Sequence, residues 1–119
     1  MDLLNSELTG RSRGHVCDRQ DLQCTLLPEA AQAFAGLRSA AAVDGLDLEA
    51  ASSFRDFDRQ LLIWNDKYRG RRPLLDVRGL PLNGEVMTAP ERVRAILHWS
   101  ALPGASRHHW GTEIDVIDR

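Results

Sequence analysis

The chain has 119 residues, which is enough for one domain with a hydrophobic core and too few for two. Hydrophobic residues make up 43% of it and charged residues 27%, as in ordinary globular proteins. The formal net charge of -2 disfavours nucleic-acid binding, which needs clustered Lys and Arg against phosphate. The basic run from Arg69 to Arg72 is short and ends at Pro73, a pattern typical of a solvated loop.

The sequence contains no apolar run of the roughly 20 residues that a membrane-spanning helix needs. The N-terminal residues have no apolar segment behind a basic start, so no signal peptide is recognised. We therefore expect the chain in the cytoplasm if Met1 is the native start, and in the cell envelope or periplasm if a leader was removed. Cys17 and Cys24 have six residues between them, a spacing that allows a disulfide or a reduced pair and is too wide for a zinc knuckle.

The first half of the chain predicts an arm, a helix and a strand. Residues 1–25 are polar and without periodicity, so we expect an irregular N-terminal arm. The alanine-rich run that follows, with an early proline and with Gly45 as a stop, predicts a helix over about 28–43. Alternation of apolar and polar residues over 46–53 predicts a short strand that leads into a Ser-Ser turn.

The middle of the chain predicts a second helix and a long loop. Asp56 can cap the N-terminus of this helix, which is expected to end at Gly70. Residues at helical spacing are expected to form its buried stripe: Phe57, Leu61, Trp64 and Tyr68. Residues 71–87 contain prolines and glycines with little periodicity and predict a surface loop.

The last part of the chain predicts a helix and a strand. Thr88 and Pro90 supply start signals for a third helix, and Pro103 lies beyond its end. The final TEIDVID predicts a strand with Ile114 and Val116 towards the core. All three tryptophans are expected to be core residues.

The element order predicts an α+β fold in which helices pack on a small antiparallel sheet. Because a strand needs a partner, the C-terminal strand is expected to pair with the strand at 46–53. We assign residues 26–119 to part of one domain, and residues 1–25 to an arm preceding it.

The stretch SRHHWGTEID contains the residues best suited to chemistry. His108 and Asp115 offer a nitrogen and an oxygen donor, both of which zinc accepts. They are seven residues apart and can meet if the chain turns at Gly111, where glycine permits conformations closed to other residues. His109 is expected to point away from His108 and to pack instead of binding metal. By spacing alone, the stretch favours an ordinary polar turn before a strand.

The same stretch resembles the S-x-H-x-x-G-x-x-x-D signature of the zinc D-alanyl-D-alanine carboxypeptidases, a family that includes the vancomycin-resistance dipeptidases and carboxypeptidases. The segment SSFRDFDRQLLIW is similar to the family's S-x-[YF]-R-[ST]-x-x-x-Q block, at the expected distance upstream. The resemblance implies that His108 and Asp115 are two of three zinc ligands. It further implies that Arg55 stabilises the transition state or holds the substrate, and that Gln60 and Ser106 help to bind the substrate.

The resemblance implies the fold of this family and a Zn²⁺-dependent peptidase that acts on peptidoglycan peptides. It covers about residues 26–118, which correspond to the N-terminal part of the family's domain. In the family an E-x-x-W-H segment supplies the general base and the third zinc ligand, and no segment of this chain matches it. We therefore expect a domain truncated at its C-terminus, and two readings remain open. The chain derives from an active peptidase, or it is an incomplete fragment that binds peptide or metal without cleaving. The peptide bond cleaved and the oligomeric state are not indicated by the sequence.

Overall fold

Four α-helices and three two-stranded antiparallel sheets make up the computed structural model, which describes residues 2 to 119. The helices are α1 (Asn5–Leu8), α2 (Pro28–Val43), α3 (Phe57–Tyr68) and α4 (Ala89–Trp99). The strands are β1 (Cys17–Arg19), β2 (Cys24–Leu26), β3 (Leu48–Ser52), β4 (Leu74–Leu75), β5 (Pro81–Leu82) and β6 (Asp115–Asp118). β1 pairs with β2, β3 with β6, and β4 with β5. The predicted α+β class with small antiparallel sheets is confirmed.

The three longer helices form where the sequence predicts them, because their start signals are local. In α3 the carboxylate of Asp56 accepts a hydrogen bond from the backbone N–H of Arg59 at 2.7 Å. In α4 the Thr88 hydroxyl accepts one from the N–H of Glu91 at 3.3 Å. Along its length α2 coincides with the predicted 28–43. No helix among residues 2–119 is both long and apolar enough to cross a membrane.

Residues 2–25 are not irregular, in contrast to the prediction. They contain α1 and the β1–β2 hairpin, and the hairpin supplies part of the hydrophobic core. The buried residues of this core come from the hairpin and from α2: Leu22, Cys24, Leu26, Ala31 and Phe34. The two strands have three residues each, which is too short for a period-two pattern to appear in the sequence. Cys17 and Cys24 are free thiols.

The buried face of α3 is rotated from the predicted one. Gln60 and Ile63 are buried, whereas Leu61 is 38% exposed. The pattern of apolar residues does not mark this face, because the face includes the polar residue Gln60. Its amide can be buried since it forms hydrogen bonds within the protein. Two tryptophans expected in the core also lie outside it, since Trp99 is 51% and Trp110 is 37% exposed.

The predicted pairing of the two strands that flank the candidate site is confirmed. β3 and β6 run antiparallel, with Leu48 opposite Asp118 and Ala50 opposite Val116. The register then shifts by one residue, so that Ser52 lies opposite Asp115. Such a bulge bends a strand and redirects its side chains. Val116, expected in the core, is 43% exposed.

The predicted loop over residues 71–87 is mostly irregular, as expected, with some short structure. The two-residue strands β4 and β5 form a hairpin, and a 3₁₀ turn covers Gly84–Val86. Leu74 is the buried residue of this segment and packs towards α4.

Candidate functional site

The segment with the paired histidines is a short 3₁₀ helix, Arg107–Trp110. Ser106 caps it, since its hydroxyl accepts a hydrogen bond from the N–H of His108 at 3.1 Å. Gly111 ends it with a φ of 78°, in the left-handed region that favours glycine. A Cβ at Gly111 would lie 2.6 Å from a methyl carbon of Val16, so a side chain does not fit there. The predicted turn at this glycine is therefore present.

The turn brings His108 and Asp115 together. The Nδ1 of His108 lies 2.7 Å from the carbonyl oxygen of Ser53. Because a carbonyl only accepts, Nδ1 carries the proton, and in the neutral ring Nε2 keeps a lone pair. This Nε2 lies 3.5 Å from Oδ2 of Asp115. The side chain of His108 is 14% exposed and that of Asp115 is 62% exposed, so the pair is reachable from solvent.

Asp115 is held from the neighbouring strand. The hydroxyl of Ser52 donates a hydrogen bond to Oδ2 of Asp115 at 2.5 Å. The β3–β6 bulge places these two residues opposite each other. Ser52 is the first residue of the SSFR segment, for which the sequence pattern predicts only a turn.

Arg55 is anchored by a buried glutamine. Its Nη1 donates to Oε1 of Gln60 at 2.9 Å, and Nε2 of Gln60 donates to the carbonyl oxygen of Ala101 at 2.7 Å. Burial lowers the pKa of the Arg55 guanidinium, and the nearby Asp115 carboxylate opposes this shift. Arginine remains protonated under such conditions. Gln60 is 1% exposed and holds the guanidinium of Arg55, and its contact with a substrate stays a prediction.

The arginine segment and the histidine segment are joined through their backbones. The N–H of Arg55 donates to the carbonyl of His108 at 3.1 Å. Nδ1 of His109 lies 2.6 Å from the carbonyl oxygen of Arg55, and its Nε2 accepts from the N–H of Gly104 at 3.1 Å. His109 is fully buried, and this burial lowers its pKa and keeps the ring neutral. The prediction that His109 packs instead of binding metal agrees with this arrangement.

The N-terminal segment packs against both the arginine segment and the histidine segment, and the sequence did not predict these contacts. Nε2 of the buried His15 lies 2.7 Å from the carbonyl oxygen of His109. The carbonyl of Gly10 accepts from the N–H of Phe57 at 2.9 Å. A Cβ at Gly10 would lie 2.4 Å from Nδ1 of His109, so the backbone approaches the imidazole closely.

The substrate contact predicted for Ser106 and a third metal ligand are not found among the described residues. Ser106 is 4% exposed and serves as a cap, so its contact with a substrate stays a prediction. Among residues 2–119, no three His, Cys, Asp or Glu side chains are grouped so that they could hold a metal ion. The site contains the pair His108 and Asp115, with Arg55 beside it.

A family model described as VanY: D-alanyl-D-alanine carboxypeptidase matches residues 23–119. The chain belongs to the D-alanyl-D-alanine carboxypeptidase family. The two sequence segments that indicated this family lie within the matched range. An uncharacterized protein of Haemophilus influenzae is 42% identical to the chain over 105 residues, which are 86% of this chain and 72% of that protein.

Solved structures of carboxypeptidases share the fold. A mutant of the vancomycin-resistance D,D-pentapeptidase VanY in complex with Zn(II) superimposes with a TM-score of 0.64 at 21% identity, over 87% of this chain and 51% of that one. VanYB in complex with D-alanine-D-alanine gives 0.66 at 21% identity, over 87% and 50%. The LD-carboxypeptidase LdcB gives 0.60 at 22% identity, over 88% and 44%. The chain thus spans about half the length of these carboxypeptidases or less.

Proposed function

We propose that the chain carries the zinc-binding and substrate-orienting part of a peptidase site that acts on peptidoglycan-type peptides. The observation that supports this most is the approach of Nε2 of His108 to Oδ2 of Asp115 at 3.5 Å, with the other nitrogen of His108 occupied by a backbone carbonyl. Metal-binding histidines use this arrangement, because the second hydrogen bond fixes the tautomer and the ring orientation. Membership of the family adds independent support.

The donor set suits zinc. Imidazole nitrogen and carboxylate oxygen bind Zn²⁺ at about 2.0–2.2 Å, so a modest adjustment of the two side chains would admit an ion between them. The hydroxyl of Ser52 and the carbonyl of Ser53 hold the carboxylate and the imidazole respectively. A bound zinc ion would polarise a substrate carbonyl and lower the pKa of a bound water to about 7.

The chain's own residues would orient the peptide. The guanidinium of Arg55 is fixed by Gln60, and no acidic residue among residues 2–119 is bonded to it, so it can receive the carbonyl or carboxylate oxygen of a ligand. Partial burial strengthens that interaction, because the charge is less screened than it would be in bulk water. Stabilising charge that develops on an oxygen is often worth a few kcal/mol in catalysis.

The test is substitution of the proposed ligands. We expect His108→Ala and Asp115→Ala each to abolish tight zinc binding, measured by calorimetry, and hydrolysis of a peptide that ends in D-Ala-D-Ala. His98→Ala is the matched control, since His98 is an exposed histidine on α4 and should leave both measurements unchanged. Retention of zinc binding in both ligand variants would overturn the proposal.

A second candidate is a module that binds peptide or metal without cleaving it. It is supported by the described residues, which offer two grouped ligands and no third. The two candidates separate when zinc stoichiometry and hydrolysis are measured on the same purified chain. One bound zinc with cleavage supports the peptidase, whereas peptide binding without cleavage supports the module.

A further inference from the structure

Behind the histidine segment, one nitrogen of a buried imidazole has no hydrogen-bond partner. The side chain of His15 is 1% exposed, and its Nε2 lies 2.7 Å from the carbonyl oxygen of His109. Among residues 2–119, Nδ1 of His15 is the one enclosed side-chain nitrogen or oxygen that makes no hydrogen bond. Because buried polar groups are nearly always satisfied, this atom indicates a contact that the neutral ring does not complete.

Nδ1 of His15 faces the carboxylate of Glu7 on α1. The distance from Nδ1 to Oε2 of Glu7 is 3.5 Å, and the side chain of Glu7 is 13% exposed. The other carboxylate oxygen accepts a hydrogen bond from the N–H of Leu4 at 2.9 Å, which holds the carboxylate in place. The ring of His15 lies edge-on to the ring of Phe54, with centroids 5.6 Å apart, so its orientation is fixed by packing as well.

Neither neutral form of the His15 ring satisfies both of its neighbours. If Nε2 carries the proton, it donates to the carbonyl of His109, and the lone pair of Nδ1 faces the carboxylate of Glu7. If Nδ1 carries the proton, the lone pair of Nε2 faces the carbonyl instead. Each case places two acceptors against each other in an enclosed space. The doubly protonated ring donates to both neighbours, and its hydrogen bond to the carboxylate is charge-assisted.

Glu7 supplies the charge that faces the ring, and it is the charged residue of α1. On the segment of His15 itself, Arg13 pairs with Asp18 at 2.8 Å. The remaining charged or titratable side chains of the surrounding elements lie against other partners or in solvent: Arg11, Arg55, Asp56, Arg107, His108 and His109.

The pair of Glu7 and His15 differs from the pair of Asp115 and His108. The carboxylate of Asp115 is largely exposed, so an ion can enter from solvent. Both side chains of the first pair are enclosed, and within residues 2–119 no third metal ligand is grouped with them. A metal ion needs further ligands there, whereas a proton needs none.

The attachment of α1 depends on polar contacts of this kind. None of its four residues is buried, so little apolar surface holds it. It packs against the 3₁₀ helix that contains the histidines. A helix of this length does not persist by itself in water, so α1 is expected to unfold when it detaches.

We propose that His15 and Glu7 form a pH-dependent switch, which attaches α1 to the histidine segment when His15 is doubly protonated and loosens it when the ring is neutral. Imidazole is the side chain that ordinarily exchanges a proton between about pH 5 and 8. Because the attached form holds one more proton than the detached form, attachment weakens as the pH rises through this range. The switch does not depend on the proposed peptidase function.

Amide hydrogen exchange of α1 in the full chain tests the switch. The reporters are the N–H groups of Leu8 and Thr9, which donate to the carbonyls of Leu4 and Asn5 at 2.9 and 3.1 Å. Their protection is expressed relative to an unstructured peptide at the same pH. We expect it to fall about tenfold between about pH 5.5 and about pH 8, the ratio for one charge-assisted hydrogen bond. Nitrogen NMR of the His15 ring should show both nitrogens protonated at the lower pH.

Glu7→Gln separates this switch from other titrating groups. The amide oxygen can still accept from the N–H of Leu4, and the amide nitrogen can donate to Nδ1 of the neutral His15 ring. We therefore expect the variant to keep the protection of α1 at the higher pH and to lose its decrease with rising pH. Glu29→Gln is the matched control, because Glu29 is exposed on α2, and it should retain that decrease.

Equal protection of α1 at the two pH values in the unaltered chain would overturn the switch. An unchanged pH dependence in Glu7→Gln would also overturn it, because the effect would then belong to another titrating group. So would a His15 ring that stays neutral at the lower pH while α1 is protected.

Discussion

Among the described residues, one side-chain hydrogen bond holds the carboxylate of Asp115, which is largely exposed to solvent. The donor is the Ser52 hydroxyl on β3. We expect Ser52→Ala to weaken zinc binding about tenfold or more, as loss of such supporting bonds does in metal sites. Calorimetric titration with zinc measures the change, with Ser39→Ala on the exposed side of α2 as control. An unchanged affinity would show that Asp115 is positioned by its backbone alone.

Gln60 holds the guanidinium of Arg55 in place. Gln60→Leu removes the anchor of Arg55 and leaves the carbonyl of Ala101 without its partner. We expect hydrolysis to fall at least tenfold through kcat while zinc affinity is unchanged, because neither proposed ligand contacts Gln60. The free energy of unfolding should fall by about 1–3 kcal/mol from the unpaired carbonyl.

Steady-state kinetics, zinc titration and thermal unfolding check the three parts of that prediction. Gln32→Leu is the matched control, since Gln32 is exposed on α2. Loss of zinc binding in Gln60→Leu would contradict the expectation that Arg55 acts independently of the proposed ligands His108 and Asp115.

The N-terminal segment packs closely against the histidine segment at Gly10, and a comparison of substitutions at two glycines tests this packing. Gly10 and Gly45 both have positive φ, 75° and 78°, so alanine strains the backbone at either by about 1–2 kcal/mol. At Gly45 an added Cβ meets no atom within 4 Å, whereas at Gly10 it would lie 2.4 Å from His109. We expect Gly10→Ala to lower the free energy of unfolding by about 1–3 kcal/mol more than Gly45→Ala, the usual range for overpacking.

Urea unfolding of the two glycine variants measures this difference. Similar losses in both would mean that residues around Gly10 move away from His109 at little cost. In that case the N-terminal segment would be a loosely attached element.

Elements with local signals could be predicted from sequence, and elements held by distant contacts could not. The caps at Asp56 and Thr88 lie within three residues of the N–H groups they satisfy, so the sequence contains the whole interaction. The strands of the β1–β2 hairpin are too short to show a pattern, and the buried face of α3 depends on partners far along the chain. Gln60, for example, bonds to a carbonyl 41 residues away.

The site shows the same division. His108, Asp115 and Arg55 could be proposed from motif spacing and family resemblance. The supports of these residues could not, because the carbonyl of Ser53 is 55 residues from His108 and carries no side-chain signature. His15 is 94 residues from His109, and its segment lacks any periodicity that would mark it as buried.

The molecule as a whole is flat, and this limits its core. Its extents are 48 × 37 × 19 Å and its Cα radius of gyration is 16.5 Å. A compact chain of this length would have a radius of about 13.5 Å. Among the described residues, ten apolar side chains are buried, and the cluster at the hairpin and α2 contains half of them. Stability therefore depends strongly on the hairpin.

Removal of the N-terminal residues tests this dependence. A chain that begins at Gln23, where the family match starts, lacks Leu22 of the core and His15 behind the histidine segment. We expect it to lose cooperative thermal unfolding, measured by calorimetry, while the full chain retains it. A truncated chain with the same midpoint as the full one would contradict the assignment of these residues to the core.

The two imidazoles are held by alternate carbonyls of one extended segment, since His108 bonds to Ser53 and His109 to Arg55. If the histidine segment shifted by one residue against this extended segment, His109 would take the place of His108 beside Asp115. Transfer of the site into another scaffold therefore requires both segments, the one that contains Ser53 and Arg55 and the one that contains the two histidines. The ten residues SRHHWGTEID alone would not keep this geometry, because the carbonyl that orients His108 belongs to Ser53, 55 residues earlier in the chain.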